Sequence, residues 1–184
     1  MPKKWVAFLL SFVMARGAIP YRGEGRLLDV GCAGGSYLHR LRQWGWNVIG
    51  VEPSVTGAEQ ARSLGLDIRQ GQVEDAGFPD GFFDVARLNY ALEHLTDPKR
   101  TLREIHGILK SDGILYVTLP NTGSLNFWLF QENWYGLDPP RHVISYCPRT
   151  LGFLCSATRF EIAEIGFQSG TFNFVRSVKI PSGG

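Results

Sequence analysis

The sequence from residue 27 to residue 36 reads Leu27-Leu28-Asp29-Val30-Gly31-Cys32-Ala33-Gly34-Gly35-Ser36. An apolar run typical of a buried strand leads into a turn of small residues, and a helical pattern follows it. In an open α/β sheet this turn is where a nucleotide binds, because a ligand can approach a backbone that carries no large side chains. The stretch therefore predicts a nucleotide-binding α/β domain.

Short apolar runs and helical segments alternate on the C-terminal side of this turn. Strands are predicted at residues 27–30, 48–51, 83–88, 114–119 and 160–165, with a weaker one near Ile68. Helices are predicted at residues 37–44, 57–64 and 102–109, and a turn at residues 111–113. Such alternation indicates repeated βαβ units. The predicted fold class is α/β: a doubly wound, mostly parallel, Rossmann-like sheet with helices on both faces.

A single domain accounts for the 184 residues. We assign residues 1–25 to an N-terminal helix, 26–120 to a cofactor-binding core, 121–148 to a substrate-side loop, and 149–184 to a C-terminal helix and strand. The apolar face of the first helix consists of Val6, Leu9, Leu10 and Val13. A secretory signal is the alternative for this first segment, because lysines precede its apolar run. Long loops inside compact domains are usually functional, which favours residues 121–148 for substrate contacts.

Charge and cysteine content narrow the possible partners and compartments. The net charge of +2 is too small for the broad positive field that nucleic-acid binding needs, so no nucleic-acid partner is expected. No apolar run is long enough to cross a bilayer, so no membrane partner is expected either. The three cysteines, Cys32, Cys147 and Cys155, lack metal-type spacing and indicate reduced thiols in a cytoplasmic protein.

Glu52 strengthens the interpretation of the turn. It ends the second predicted strand about 20 residues after the turn, where an acid can accept hydrogen bonds from both hydroxyls of a ribose. The turn and Glu52 together predict an adenosine site; the alternative is a tight turn beside a solvated strand end. A dinucleotide is less suitable than a cationic ligand, because Asp29 would repel a pyrophosphate and the third glycine of the dinucleotide pattern is absent.

The sequence from Arg26 to Ile165 resembles the class I S-adenosylmethionine-dependent methyltransferases, in particular small-molecule enzymes whose first motif reads like D-V-G-C-G-T-G. The resemblance implies S-adenosylmethionine as cofactor, with the turn around its methionine part and Glu52 on its ribose. Ala33 stands where the family usually has glycine, and Gly34 where it usually has threonine. The cofactor-binding residues expected on this resemblance are Asp29, Gly31, Cys32, Ala33, Gly34, Gly35, Glu52, Pro53, Gln72, Val73, Leu88 and Asn89.

Three later stretches resemble the same family. Residues 78–85, Phe-Pro-Asp-Gly-Phe-Phe-Asp-Val, resemble its approach to the fourth strand, and residues 89–98 resemble the loop after that strand. Gln72 stands where the family commonly has an aspartate for the adenine amino group, and its amide oxygen can still accept that bond. Trp134 with Pro140-Arg141-His142 resembles a W...P-R-H segment of one branch.

Methyl transfer needs positioning more than a strong base. If the acceptor is a hydroxyl, a nearby group takes its proton, and the candidates are His142 first, His94 second, and Glu93. Arg141 could hold an acidic acceptor in a two-pronged contact. The alternatives are that Arg141 and His142 only fix the loop and that His94 only binds backbone. No pair of histidines and acids shows metal-ligand spacing, so no metal is expected.

The expected function is transfer of a methyl group from S-adenosylmethionine to a small-molecule acceptor. A nicotinamide-dependent oxidoreductase using the same turn is the first alternative, and a non-catalytic adenosine-binding domain is the second. The resemblance also implies a seven-stranded sheet that ends in an antiparallel strand. Because few residues follow residue 165, that last strand is expected to be missing or replaced by residues 171–180.

Overall fold

A seven-stranded sheet forms the centre of the computed structural model, which describes residues 4–6 and 19–167. Its strands are β1 (Lys4–Val6), β2 (Arg26–Val30), β3 (Asn47–Glu52), β4 (Asp67–Gln70), β5 (Phe83–Asn89), β6 (Leu109–Thr118) and β7 (Phe160–Ile162). They lie in the order β4-β3-β2-β5-β6-β1-β7, and neighbouring strands pair in parallel. The predicted strands, including the weak one near Ile68, are therefore confirmed, with shifted ends.

Helices cover both faces of this sheet. They are α1 (Ser36–Gln43), α2 (Val55–Ser63), α3 (Pro98–Ile108), α4 (Leu125–Phe130) and α5 (Pro148–Ala157), with short 3-10 turns at Val73–Asp75, Leu92–His94 and Gln131–Asn133. Leu27 packs with apolar residues of α1 and α2, whereas the next residue, Leu28, packs with those of α3 and α5. Successive residues of one strand thus enter two separate cores, as a doubly wound sheet requires.

The prediction of an N-terminal helix is wrong where the structure describes that segment. Lys4–Val6 is a strand between β6 and β7, with Trp5 in register with Ile114 and Lys4 with Phe160. Backbone pairing with two strands thus overrides the helical spacing of the apolar residues. The rest of the predicted helical face, and the strand proposed for residues 171–180, lie outside the described residues.

The turn predicted at residues 111–113 lies inside β6. Phe83 pairs with Leu109 but Val85 pairs with Ile114, so the extra residues of β6 form a bulge opposite Asp84. Asp84 is buried and accepts a hydrogen bond from Lys110 Nζ at 2.8 Å. A turn-like Asp-Gly pair is therefore accommodated without ending the strand.

Residues 121–148 contain more structure than the predicted loop. Ser124 caps α4 by accepting a hydrogen bond from the Phe127 amide at 3.1 Å. Thr122 N donates to Tyr146 O at 2.8 Å, which closes the segment on itself. Among the described residues, no helix has the length and apolar character needed to span a membrane.

Candidate functional site

The glycine-rich turn after β2 is held close to β3 and α2. The amides of Gly31 and Cys32 donate to the carbonyl of Val51 at 2.8 and 3.2 Å. Gly35 has a φ of 74°, and a Cβ there would lie 3.1 Å from the backbone Cα of Ala61. Only glycine satisfies both the backbone angle and this close approach. The turn is therefore rigid and narrow on its α2 side.

Ala33 has a left-handed backbone conformation within this turn. Ala33 has a φ of 48°, whereas Gly34 is not among the residues with positive φ. A methyl group at this angle strains the backbone. Of positions 33 and 34, the left-handed one therefore carries alanine, and the glycine lies beside it.

We expect Ala33→Gly to raise the free energy of unfolding by about 0.5 kcal/mol. Relief of about 1–2 kcal/mol of left-handed strain exceeds the entropy that glycine adds to the unfolded chain, about 0.4–1 kcal/mol. Urea unfolding followed by circular dichroism measures the change. Ala58→Gly, at a buried position inside α2, is the matched control and should lower stability by about 1 kcal/mol or more. Equal destabilisation by both variants would contradict the strain at residue 33.

Glu52 connects this turn to the start of α2. Its Oε2 accepts a hydrogen bond from Ala33 N at 2.7 Å, and its Oε1 accepts one from Ser54 N at 2.9 Å. The residue is only 7% exposed. Each carboxylate oxygen can accept a second hydrogen bond, so ribose hydroxyls can still bind it. Pro53, the next residue, is exposed.

Asp29 lies in the sheet beneath the turn, and its charge is compensated there. It is 1% exposed and accepts two hydrogen bonds from Arg87 Nη1, at 2.7 and 2.9 Å, across the β2–β5 pairing. The Arg87 guanidinium also lies over the Tyr37 ring, 3.9 Å from its centroid. Burial raises the pKa of Asp29, and Arg87 opposes that rise. The sequence did not indicate this partner, because Arg87 lies 58 residues away in an apolar strand.

Several other predicted cofactor residues can offer only their backbone. Cys32, Val73 and Leu88 are buried. Burial raises the pKa of the Cys32 thiol to about 12, which makes it unreactive. Asn89 is half-buried, and Gln72 is exposed at a cavity of about 210 Å³ that His94 also lines. The fold therefore brings Gln72 and His94 to one cavity.

The candidate catalytic residues meet where the 3-10 turn Leu92–His94 contacts the segment after Asp138. His94 Nδ1 bonds to the carbonyl of Arg141 at 2.8 Å, and His142 Nδ1 bonds to the carbonyl of Gly136 at 2.9 Å. The two imidazole rings are 4.8 Å apart, edge to face. The Arg141 guanidinium pairs with Asp138 and is 73% exposed, so only its backbone joins the histidines.

Glu93 completes this group. It is 2% exposed, and neither of its carboxylate oxygens has a hydrogen-bond partner in the structure. Burial raises its pKa to about 7. Its backbone carbonyl accepts hydrogen bonds from Val143 N and Ile144 N at 2.8 and 3.2 Å. In the sequence, Glu93 was a candidate base because it lies in the stretch that resembles the family's loop after the fourth strand.

Glu93, His94 and His142, here called the acid–histidine cluster, place one potential ligand atom each within 4.8 Å of one another. In the described part of the chain, they are the group of three or more His, Cys, Asp or Glu side chains that lies close enough together to hold a metal ion. Spacing along the sequence did not reveal them, because 48 residues separate the two histidines. The residue two positions before Glu93 adjoins the turn, because a Cβ on Gly31 would come within 2.9 Å of Ala91 Cβ.

The aromatic residues of the same region divide into two groups. Trp134 and Tyr146 are buried and belong to the packing, and the Tyr146 hydroxyl has no hydrogen-bond partner in the structure. Trp128, Phe130 and Tyr135 are exposed. The exposed three are therefore available to contact a ligand, whereas the buried two pack the segment.

The combination of this turn, the acid at the end of β3 and the parallel sheet agrees with the comparison with known families. A family model described as a methyltransferase domain matches residues 3–165. The chain belongs to this methyltransferase-domain family. Its fold is that of the class I S-adenosylmethionine-dependent methyltransferases, and family membership makes S-adenosylmethionine the cofactor.

Individual relatives of the methyltransferase-domain family support this assignment. A ubiquinone biosynthesis O-methyltransferase from Azorhizobium caulinodans is 31% identical over 163 residues, which cover 82% of this chain and 64% of that protein. An S-adenosylmethionine-dependent methyltransferase from Thermotoga maritima is 25% identical with a TM-score of 0.68, covering 85% of this chain and 83% of that chain. A methyltransferase from Archaeoglobus fulgidus is 20% identical with a TM-score of 0.71, covering 92% and 91%, and shows the shared fold. The chain spans less than two thirds of the length of the curated relatives matched first.

Proposed function

We propose that the protein transfers the methyl group of S-adenosylmethionine to a hydroxyl oxygen of a small molecule. The observation that carries this proposal is the rigid turn from Gly31 to Gly35, braced by the Glu52 carboxylate. An oxygen acceptor is supported by the O-methyltransferase relative. The acceptor oxygen would form a bond to the methyl carbon while the carbon–sulfur bond breaks, its electron pair returning to sulfur and the hydroxyl proton leaving.

In this proposal the turn holds the cofactor from one side. Gly31, Ala33, Gly34 and Gly35 would surround its methionine part with backbone, and Glu52 would accept its ribose hydroxyls. Asp29 would act through Arg87 and the sheet rather than by touching the cofactor, since both of its oxygens bind Arg87.

Further cofactor contacts are proposed from the remaining predicted residues. The Gln72 side chain would meet the adenine. Backbone contacts would come from Cys32, Val73 and Leu88, and further contacts from Pro53 and Asn89.

The methyl acceptor is proposed to bind at the acid–histidine cluster. Because each Nδ1 donates to a carbonyl, the neutral rings of His94 and His142 carry a lone pair on Nε2. Nε2 of His142 would take the hydroxyl proton, and His94, whose ring packs edge to face against it, would orient the His142 ring. Arg141 would position the loop through its carbonyl, with its guanidinium available to an acidic acceptor at the surface.

We propose that the protein works in the cytoplasm and that its methyl acceptor is a small molecule. The free thiols of Cys32, Cys147 and Cys155 suit the reducing cytoplasm. The small net charge supports a small-molecule acceptor over a nucleic acid.

Binding of S-adenosylmethionine should raise the melting temperature by about 5–10 °C at a concentration 100 times its Kd. A ligand at that concentration stabilises the native state by about 2.7 kcal/mol, and about 2–4 °C follow from each kcal/mol in a chain of this size. Differential scanning fluorimetry measures the shift, with NADH at the same concentration as the control. A shift with NADH but not with S-adenosylmethionine would favour the oxidoreductase alternative. Binding without methyl transfer to any hydroxyl compound would favour the non-catalytic one.

A further inference from the structure

The acid–histidine cluster brings two imidazoles together with a buried carboxylate that has no hydrogen-bond partner in the protein. We infer that Glu93, His94 and His142 form a binding site for one divalent transition-metal cation. The inference goes beyond methyl transfer, because the site is defined by these three side chains and their neighbours, independently of the cofactor turn.

The hydrogen bonds of the two histidines set them up as ligands. Each Nδ1 donates to a backbone carbonyl, of Arg141 and of Gly136, at 2.8 and 2.9 Å. These bonds fix the tautomer and leave Nε2 of each neutral ring as an electron-pair donor. Histidines that bind metals are normally oriented in this way, with the second ring nitrogen held by a carbonyl or carboxylate. The cluster therefore has the outer hydrogen bonds of a metal site as well as its ligands.

Glu93 provides the second, independent observation. Both of its oxygens are buried and lack hydrogen-bond partners, and the residue is 2% exposed. A buried carboxylate without a partner costs free energy, and native proteins avoid this arrangement unless a ligand, ion or water satisfies it. Its potential ligand atom lies within 4.8 Å of those of His94 and His142, so a cation between them would satisfy it.

The donor set identifies the class of cation. Two imidazole nitrogens and one carboxylate oxygen favour Zn²⁺ and neighbouring transition metals over Mg²⁺ and Ca²⁺, which prefer oxygen donors. Two histidines and a glutamate are a known ligand set of zinc sites that keep a coordination position open. Ligands around Zn²⁺ at about 2.0–2.1 Å lie roughly 3.4 Å apart, so ligand atoms now up to 4.8 Å apart would approach one another by up to about 1.4 Å. His94 is exposed, which leaves its ring room to move.

An open position would give the cation a role at the acceptor end. A hydroxyl oxygen bound there would lose its proton to water more readily, since a cation lowers the pKa of a bound hydroxyl group. In the metal-bound protein, this effect would replace proton transfer to His142. This consequence rests on the proposed function; the cation site itself does not.

Direct binding of Zn²⁺ to the full chain tests the inference. The protein carries Cys147→Ser, which removes the half-exposed thiol as a competing ligand while keeping a suitable helix cap. After treatment with a chelator, it is titrated with Zn²⁺ alone against a chromophoric chelator. We expect one tight site, an affinity loss of more than about 100-fold in His142→Ala and in His94→Ala, and a comparable loss in Glu93→Gln.

His39→Ala is the matched control, because His39 lies on α1 outside the cluster and should leave the affinity unchanged. Melting curves without metal show whether each variant is folded. Co²⁺ gives a second readout: the native protein should develop the visible bands of cobalt bound in a four- or five-coordinate site, and His142→Ala should not. No tight Zn²⁺ site, or a site that all three cluster variants retain, would overturn the inference.

Failure of this inference and failure of the proposed function give different results. Absence of Zn²⁺ binding with intact binding of S-adenosylmethionine removes only the metal site. Zn²⁺ binding without any binding of S-adenosylmethionine removes only the proposed transfer reaction. If both hold, methyl transfer to hydroxyl compounds should fall in the presence of chelator and return when Zn²⁺ is added.

Discussion

Replacing Arg87 with methionine should lower the free energy of unfolding by about 3–5 kcal/mol, because it leaves a buried carboxylate without its counter-charge. Asp29 is 1% exposed, and both of its oxygens bind Arg87 Nη1. Methionine keeps the apolar contact with the Tyr37 ring but cannot donate a hydrogen bond. Urea unfolding at pH 7 followed by circular dichroism measures the loss.

Two further variants separate the charge from the packing. Arg22→Met removes a more exposed ion pair, Arg22–Asp112, and should cost less than about 1 kcal/mol. The double variant Asp29→Asn, Arg87→Met should recover part of the loss, because it removes both charges. If Arg87→Met is as mild as Arg22→Met, the buried pair does not contribute as described.

The stability lost in Arg87→Met should also depend on pH. Burial already raises the pKa of Asp29, and Arg87 opposes that rise, so the pKa rises further in Arg87→Met. A raised pKa means that the folded state binds the proton more tightly than the unfolded state. The variant should therefore regain stability as the pH falls from 7 toward the ordinary pKa of aspartate, about 4.

Replacing Glu52 with glutamine should weaken the binding of S-adenosylmethionine by about 100-fold, equivalent to about 2.7 kcal/mol. The carboxylate accepts hydrogen bonds from two amides, of Ala33 and Ser54. A glutamine has only one oxygen, so its NH₂ group would face one of these N–H donors and push the turn open. Loss of a charged partner of the ribose adds to the effect.

Isothermal titration calorimetry with S-adenosylmethionine measures this change. Glu59→Gln, at an exposed position of α2, is the matched control and should bind normally. Melting curves without cofactor show whether Glu52→Gln is folded. Unchanged affinity in a folded Glu52→Gln protein would show that this acid does not brace a cofactor site.

The turn and the sheet could be predicted because their signals are local. The strand, the small residues and α1 lie within 18 consecutive residues, 26–43, and Glu52 follows at a spacing fixed by one βαβ unit. The strand β1 could not be predicted, since its three residues pair with strands more than 100 positions away. Helical spacing of apolar residues was the only local information there, and it pointed to the wrong element.

The proximity of the residues in the acid–histidine cluster could not be predicted from the sequence either. His94 and His142 were identified individually, but their proximity depends on side-chain and backbone hydrogen bonds from the Leu92–His94 turn to residues 141–144. Likewise, the partner of Asp29 depends on the register of β2 and β5, which a spacing of 58 residues does not reveal. Side chains that act together across the fold are therefore the part that a single sequence conceals.

The position of β1 in the sheet affects how the chain folds. Its residues pair with Ile114 and Leu115 on one side and with residues 160–162 on the other. During synthesis, β1 can therefore pair on both sides only after residues 160–162 have left the ribosome. Closing so long a loop makes this a late and slow step, after β2 to β5 have assembled around the turn.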